Sequence, residues 1–288
     1  MSNWGSISCA SATAPWTRGP PAPPRSRRPR SWCAPASPRI RCGPWPRARG
    51  RGNRGGGGAP PGGRPPPGAP PGRPLHVHLS EQPAENSDCL AAHGLTPTAL
   101  LAKTGVLGPQ TVAVHATHLT ALDIGLLADS ASRACFCPTT ERDLGDGIGP
   151  ARALSDAGVG LCLGTDSHAV IDAFEEWRAL ELDERLASRA RGRFTPAELY
   201  RAATDHASIG WPEAGRIAAR AAADLVTVDL DSIRTAGTAP AAALFAATAS
   251  DVRAVLIAGR AVVADHRHLH VDHPATVLRE EIEALCRP

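Results

Sequence analysis

The sequence predicts an α/β protein in which parallel strands alternate with helices, preceded by a disordered arm and followed by a small β-rich appendage. Three observations predict it. Charge divides the chain near Leu75: residues 1–75 hold thirteen Arg and no Lys, Asp or Glu, whereas the rest holds eighteen basic and all 28 acidic residues, a balance of −10. Beyond that point, apolar runs of strand length alternate with amphipathic stretches of helix length. Three of those runs end in His, Glu or Asp.

The 288 residues, 42% hydrophobic with a mean hydropathy of −0.17, suffice for a sizeable core. No apolar run approaches the roughly 20 residues that span a bilayer, so no membrane partner is expected. Residues 1–74 are rich in Arg, Pro and Gly, as in RGRGNRGGGGAPPGGRPPPGAPPGRP, and lack helical or strand periodicity. Such composition cannot bury enough apolar surface to offset the entropy of ordering, so the segment is expected to be disordered. Acid-free Arg/Pro/Gly/Ala sequence is also what a GC-rich coding segment yields in a non-native frame, which is the origin favoured for it. Nucleic acid is not expected as a partner, because the arm has no aromatic interleaving and no recognition fold.

From Leu75 the strand-like runs are LHVHLSE, TVAVHATH, RACFCP and VGLCLGTD. Helices are expected at Thr96 to Thr104, where a Thr cap precedes Pro and Gly105 stops the helix, at Thr120 to Ser130, and at Gly149 to Ala157, ended by Gly158. Strands separated by helices imply parallel pairing. Helices at Ile171 to Arg191 and Thr195 to Ala207 follow, then ADLVTVDLD and VRAVLIAGRAVVADHRH with a turn at Ala258-Gly259, then a closing helix from Thr276 to Leu285. The eight cysteines form no CxxC pair, which favours reduced thiols and a cytoplasmic setting. Cys135 and Cys137 are expected to face opposite sides of one strand.

Parallel strands share the face at their carboxyl ends, so groups there converge from distant sequence positions. His76 and His78 lie on one side of the first strand, with Glu81 just past its end; a neutral imidazole suits Zn²⁺ and the carboxylate suits a general base. His115 and His118 differ by three positions, so only one is expected to enter the site. Asp166, after the apolar VGLCL, needs a cation or several donors if buried. Each segment alone reads equally well as packing or capping. Together they favour a metal-dependent hydrolytic site, since GxxxxGK[ST], HExxH, GxSxG and a strand-linked GxGxxG are missing.

HVHLSEQ, VHATH, CPTTERDLGDGIGP and GTDSH occur in the order found in the amidohydrolase superfamily. From about residue 74 onward the chain resembles its metal-dependent deaminase branch, and within it the formimidoylglutamate deiminases. The resemblance implies the C-terminal part of a (β/α)₈ TIM-type barrel, strands five to eight, over residues 75–215. Residues 216–288 would supply the remnant of a small β-sandwich and closing helices. It further implies one Zn²⁺ per intact chain, with His78 and Asp166 as metal ligands, Glu81 as proton shuttle, His115 as the histidine on the reacting group, and Asp166 as a base as well. No separate organic cofactor is implied. The implied reaction takes N-formimino-L-glutamate and water to N-formyl-L-glutamate and ammonia, with a small-molecule substrate and a homodimer as the expected partners. Alternatives are a guanine- or cytosine-type deaminase and a non-catalytic fragment. The family's first-strand His-x-His pair has no counterpart, since the sequence has no His before His76, and Asp143 stands where the family has Asn. Loss of two ligands predicts weak zinc binding and a chain of impaired activity.

Overall fold

A computed structural model of the chain describes residues 73–287, so the expected disordered arm lies outside the described residues apart from its last two positions. Four strands, β1 (Leu75–Leu79), β2 (Thr111–His115), β3 (Arg133–Phe136) and β4 (Gly160–Leu163), pair in parallel in the order β1-β2-β3-β4. They coincide with the four apolar runs. Register sets His78 opposite Val114, Leu79 opposite His115, and Cys135 opposite Cys162.

Helices separate the strands, as parallel pairing requires. Between β1 and β2 lie α1 (Pro83–His93), which the helix expectations omitted, and α2 (Pro97–Lys103), capped by the Thr96 hydroxyl. Helix α3 (Ala121–Asp129) opens with a capping box between Thr120 and Asp123. After β3 the PTTERDL stretch, read as loop, forms α4 (Pro138–Leu144), with Pro138 as its first residue and Gly145 in the left-handed conformation after its end. Short α5 (Ala151–Asp156) precedes β4; α6 (Ala173–Ser188) and α7 (Pro196–Ala203) follow it, each shorter than expected. One hydrophobic cluster joins one face of the sheet to these helices through Leu79, Ala113, Leu127, Phe136, Leu154, Leu180, Leu199 and Leu244.

The opposite side of the sheet gathers Val112, Val114, Cys135, Cys137 and Cys162. This corrects the expectation for the cysteines: positions two apart on an extended backbone share a face, and Cys135 hydrogen-bonds to both Cys137 and Cys162. The neighbouring Cys137 and Cys162 thiols, and after them burial, push the Cys135 thiol far up, so it stays protonated.

Toward the C-terminus, β5 (Leu225–Val228), α8 (Ala243–Ala246), β6 (Val252–Ile257), β7 (Arg260–Ala264), β8 (Arg267–His268) and α9 (Pro274–Leu285) follow in order. The four strands form an antiparallel sheet in sequential order. Ala258 (φ 49°) and Gly259 (φ 75°) make the tight turn joining β6 to β7, at the expected position. Arg178 of α6 donates to the carbonyls of Phe245 and Ala247, tying α8 to the parallel-sheet helices.

Candidate active site

The first strand ends in an abrupt change of direction. Ser80 adopts a left-handed conformation (φ 51°), and the N–H groups of Ser80 and Glu81 donate to the Glu85 carboxylate at 2.9 and 3.0 Å. Glu85 thus satisfies two amides released by the end of the ladder and fixes the backbone from which Glu81 projects. The second strand ends comparably. His115 (φ 68°) and Ala116 (φ 49°) are consecutive left-handed residues, each costing on the order of 1–2 kcal/mol outside glycine. Ala116 N–H to Leu79 carbonyl (3.1 Å) and His118 N–H to Ser80 carbonyl (3.0 Å) hold the two strand ends together against that strain.

His115 lies at the centre, fully buried. Its Nδ1 meets Glu141 Oε1 at 3.2 Å, and the same oxygen accepts the Cys137 N–H at 2.7 Å. Its Nε2 has no hydrogen-bond partner among the described residues and faces Glu81 Oε1 at 3.6 Å and Asp166 Oδ2 at 4.0 Å. The His78 ring lies 5.4 Å from the His115 ring. Burial by itself would depress the pKa of His115; the bond to Glu141 and the charges of Glu81, Glu141 and Asp166 outweigh it and hold the imidazole above its ordinary value.

Asp166 also sits at a left-handed position (φ 41°), in the turn after β4. Thr140 fixes that turn: its hydroxyl accepts from the Ser167 N–H at 3.2 Å and contacts the Thr165 carbonyl at 3.3 Å. Thr139 instead serves packing, its N–H and hydroxyl donating to buried Glu176 at 3.0 and 2.5 Å. His168 turns to Thr165 Oγ1 (2.9 Å), and His76 to the Ser208 carbonyl (2.8 Å). His118 reaches the Asp146 carbonyl at 2.8 Å, so one histidine of the VHATH pair enters the centre and the other supports a loop.

Two carboxylates carry more of the site than the sequence suggested. Glu141, to which the sequence assigned no role, orients His115. Asp146, unlike its exposed neighbour Asp143, is buried, with Oδ1 accepting from the Gln82 amide and Oδ2 without a hydrogen-bond partner among the described residues. The available signal was its place between Gly145 and Gly147, both at positive φ, in a loop directly after a strand-end helix. Burial, then the facing Glu81 charge, raises the Asp146 pKa.

Glu81, His115 and Asp146 each bring one ligand atom within 4.8 Å of the others. An orphaned buried imidazole nitrogen among carboxylate oxygens is the donor chemistry that a divalent metal such as zinc accepts, so the residues present fit such an ion.

Similarity to known proteins agrees with this geometry. The amidohydrolase family profile matches residues 71–262. The chain is 35% identical over 207 residues to formimidoylglutamate deiminase of Pseudomonas aeruginosa, covering 68% of this chain and 46% of that protein. It is 32% identical over 212 residues to 5-methylthioadenosine/S-adenosylhomocysteine deaminase of Halobacterium salinarum, covering 70% and 48%. Among solved structures, a zinc-bound adenosine deaminase from Xanthomonas campestris superposes with a TM-score of 0.69 at 30% identity, over 73% of this chain and 51% of that one. The zinc complex of atrazine chlorohydrolase from Arthrobacter aurescens superposes at 0.65 and 25% identity, over 73% and 48%. The chain therefore spans about half the length of the relatives it matches. With a family match over most of its described residues and strand ends that converge on a metal-compatible centre, this chain belongs to the amidohydrolase family.

Proposed function

We propose that the described residues form part of the site of a zinc-dependent hydrolytic deiminase that converts N-formimino-L-glutamate and water to N-formyl-L-glutamate and ammonia, a step of cytoplasmic histidine degradation. The observation that carries hydrolysis of a C–N bond is the buried, partnerless Nε2 of His115 facing Glu81 and Asp166. The choice of substrate rests on the CPTTE…LGDG segment and on the similarity to the Pseudomonas deiminase. In this reading β1 to β4 are the fifth to eighth strands of the family barrel, residues 216–288 its small β-sandwich remnant, and His78 and Asp166 the ligands that hold the ion.

Bound zinc would lower the pKa of water and polarise the carbon under attack. The protein's own groups then handle orientation and protons. Glu81, whose backbone Glu85 fixes, takes a proton from the attacking water and delivers it to the amidine nitrogen. Asp166, whose carboxylate faces the same His115 Nε2, takes the remaining water proton. The C–N bond breaks as the carbonyl forms, and ammonia leaves. His115, held in one ring orientation by Glu141, positions the reacting group. Each role needs a side chain that does not reorient during the reaction, which the Glu85 and Glu141 contacts provide.

Ammonia release tests the reading. The purified chain is loaded with zinc and offered N-formimino-L-glutamate, 5′-methylthioadenosine, guanine and cytosine in parallel. Release from the formimino compound alone is expected. Release from a ring amine instead would reassign the substrate. No release from any of them would make the chain a non-catalytic fragment.

A further inference from the structure

Asp146 poses a problem that packing does not answer. It is only 3% exposed, one oxygen accepts from Gln82, and the other has no hydrogen-bond partner among the described residues. His115, fully buried, has the same deficiency at Nε2. A buried carboxylate oxygen without a donor costs on the order of several kcal/mol, so a fold that retains one has a donor to offer it in its working state. Glu81, His115 and Asp146 each bring one ligand atom within 4.8 Å of the others, so the two underused side chains share one small volume with the Glu81 carboxylate.

Three features of this volume define what fits it. Its acceptors outnumber its donors, so an organic ligand bound there beside the ion must bring N–H groups. Glu81 and Asp146 both present carboxylates, so positive charge is favoured over neutral polarity. The oxygens come from different loops, one after β1 and one after α4, so a planar fork of N–H bonds reaches both better than a single ammonium does. An amidinium, with N–H groups on two nitrogens of one carbon, meets all three conditions. A neutral formyl group meets none, since it brings another acceptor. A ring amine brings a single NH₂ and no charge.

We propose that Asp146 is a specificity-determining residue that, with Glu81, binds the amidinium head of the substrate and discriminates it from neutral amides and ring amines. This rests on the deiminase reading of the same site and extends it by assigning the residue that selects the head group. Gln82 acts as a positioning residue: it occupies Oδ1 of Asp146 and leaves Oδ2 for the ligand. Product release follows from the same chemistry, because hydrolysis replaces the amidinium with a formyl oxygen that Asp146 repels.

The test compares two ligands differing only at the head, N-formimino-L-glutamate and N-formyl-L-glutamate, together with formamidinium, which has no tail. Binding to the full chain and to Asp146→Asn is followed by calorimetry and by the NMR signals of the His115 ring. The parent chain is expected to favour the formimino over the formyl ligand. Asp146→Asn should lose about tenfold or more of that preference, the typical scale for one charge-assisted hydrogen bond, with formyl affinity held. Formamidinium should shift the His115 signals in the parent and not in Asp146→Asn.

An unchanged preference in Asp146→Asn, or formamidinium binding equally to both chains or to neither, overturns the assignment. If formamidinium binds in an Asp146-dependent way while the glutamate ligand does not bind, the amidinium site stands and the formiminoglutamate reading falls. Should Asp146→Asn fail to fold, Gln82→Leu replaces it. Lost positioning then reduces the head-group preference without removing either carboxylate, and an undiminished preference overturns the proposal.

Discussion

At the scale of single residues, His115 shows how a site is built by partners far away in sequence. Glu141 meets it across 26 residues, and the same Glu141 oxygen holds the Cys137 amide at the entrance of α4. Replacing Glu141 with Gln removes a charge from two contacts at once. The expected loss is about 1–3 kcal/mol in urea unfolding at neutral pH, the range for a buried charge-assisted network left partly unsatisfied. Because the Glu141 charge favours the protonated imidazole, His115 should also titrate at lower pH in the variant than in the parent chain, which an NMR titration reads directly. A role confined to packing would leave that titration where it was. The sequence pointed to His78, Glu81, His115 and Asp166 by residue type and strand-end position, and the structure gathers them: Glu81 and Asp166 flank His115 Nε2, and the His78 ring lies 5.4 Å from the His115 ring. Asp146 was not legible in the same way. Its place between Gly145 and Gly147 marks a turn, but nothing local says that this turn buries Asp146 and leaves Asp143, three positions earlier, exposed.

At the scale of elements, caps carry information that the sequence states openly. Thr195 and Glu198 form a capping box at the start of α7, with the Glu198 carboxylate accepting from the Thr195 N–H and hydroxyl at 2.7 Å each. These bonds, with Arg152 adding to them, hold Glu198 down at about 2. A depressed carboxylate stabilises the fold above the ordinary glutamate pKa of 4.5, and that contribution disappears as pH falls toward 2. Thermal melts between pH 6 and 2 should therefore show a component that Glu198→Gln removes. At neutral pH, Thr195→Ala should cost about 1 kcal/mol through the same cap. The β6–β7 turn offers the opposite case. Ala258 occupies a left-handed position that Asn or Gly adopts more readily, so Ala258→Asn is expected to raise the melting temperature by a few degrees, roughly 0.5–1 kcal/mol. A lowered melting temperature would show that the strain at Ala258 is relieved elsewhere. Helix α4 is harder to see in the sequence than the equally short α2 because Cys137 before it supplies no side-chain cap where α2 has Thr96, and the Pro138 that signals a loop also suits a first helical turn.

At the scale of the whole molecule, donor count governs metal affinity. The sequence contains no histidine before His76, so the His-x-His pair that the resemblance to the deiminases implies is not among the donors these residues supply. Zinc should therefore be held weakly and be lost on dialysis against a chelator of moderate strength, with recovery of stoichiometric zinc on re-addition absent or incomplete. Stoichiometric zinc that survives that dialysis would mean that donors other than His78 and Asp166 complete the coordination, with Glu81, His115 and Asp146 the nearest set. Among the described residues no helix is long and apolar enough to cross a membrane. Exposed apolar side chains are nonetheless numerous, including Leu278, Ile282 and Leu285 along α9 and Ile217 and Ile233 in the connecting segments.

The sequence by itself determined the alternation of strands and helices, the caps that bound most helices, and the residue types that end each parallel strand. These are local properties: burial periodicity, capping chemistry and backbone preference act within a few neighbours. Tertiary structure alone decided which of those residues meet. The Glu81–His115–Asp146 cluster, the Glu141 contact and the shared face of Cys135, Cys137 and Cys162 depend on strand register and on loop ends bent through left-handed conformations at Ser80, His115, Ala116 and Asp166. Asp and His adopt those conformations more readily than most residues, but Ser and Ala have no such preference and none of the four is glycine. They persist because strand pairing and buried carboxylates offset the strain.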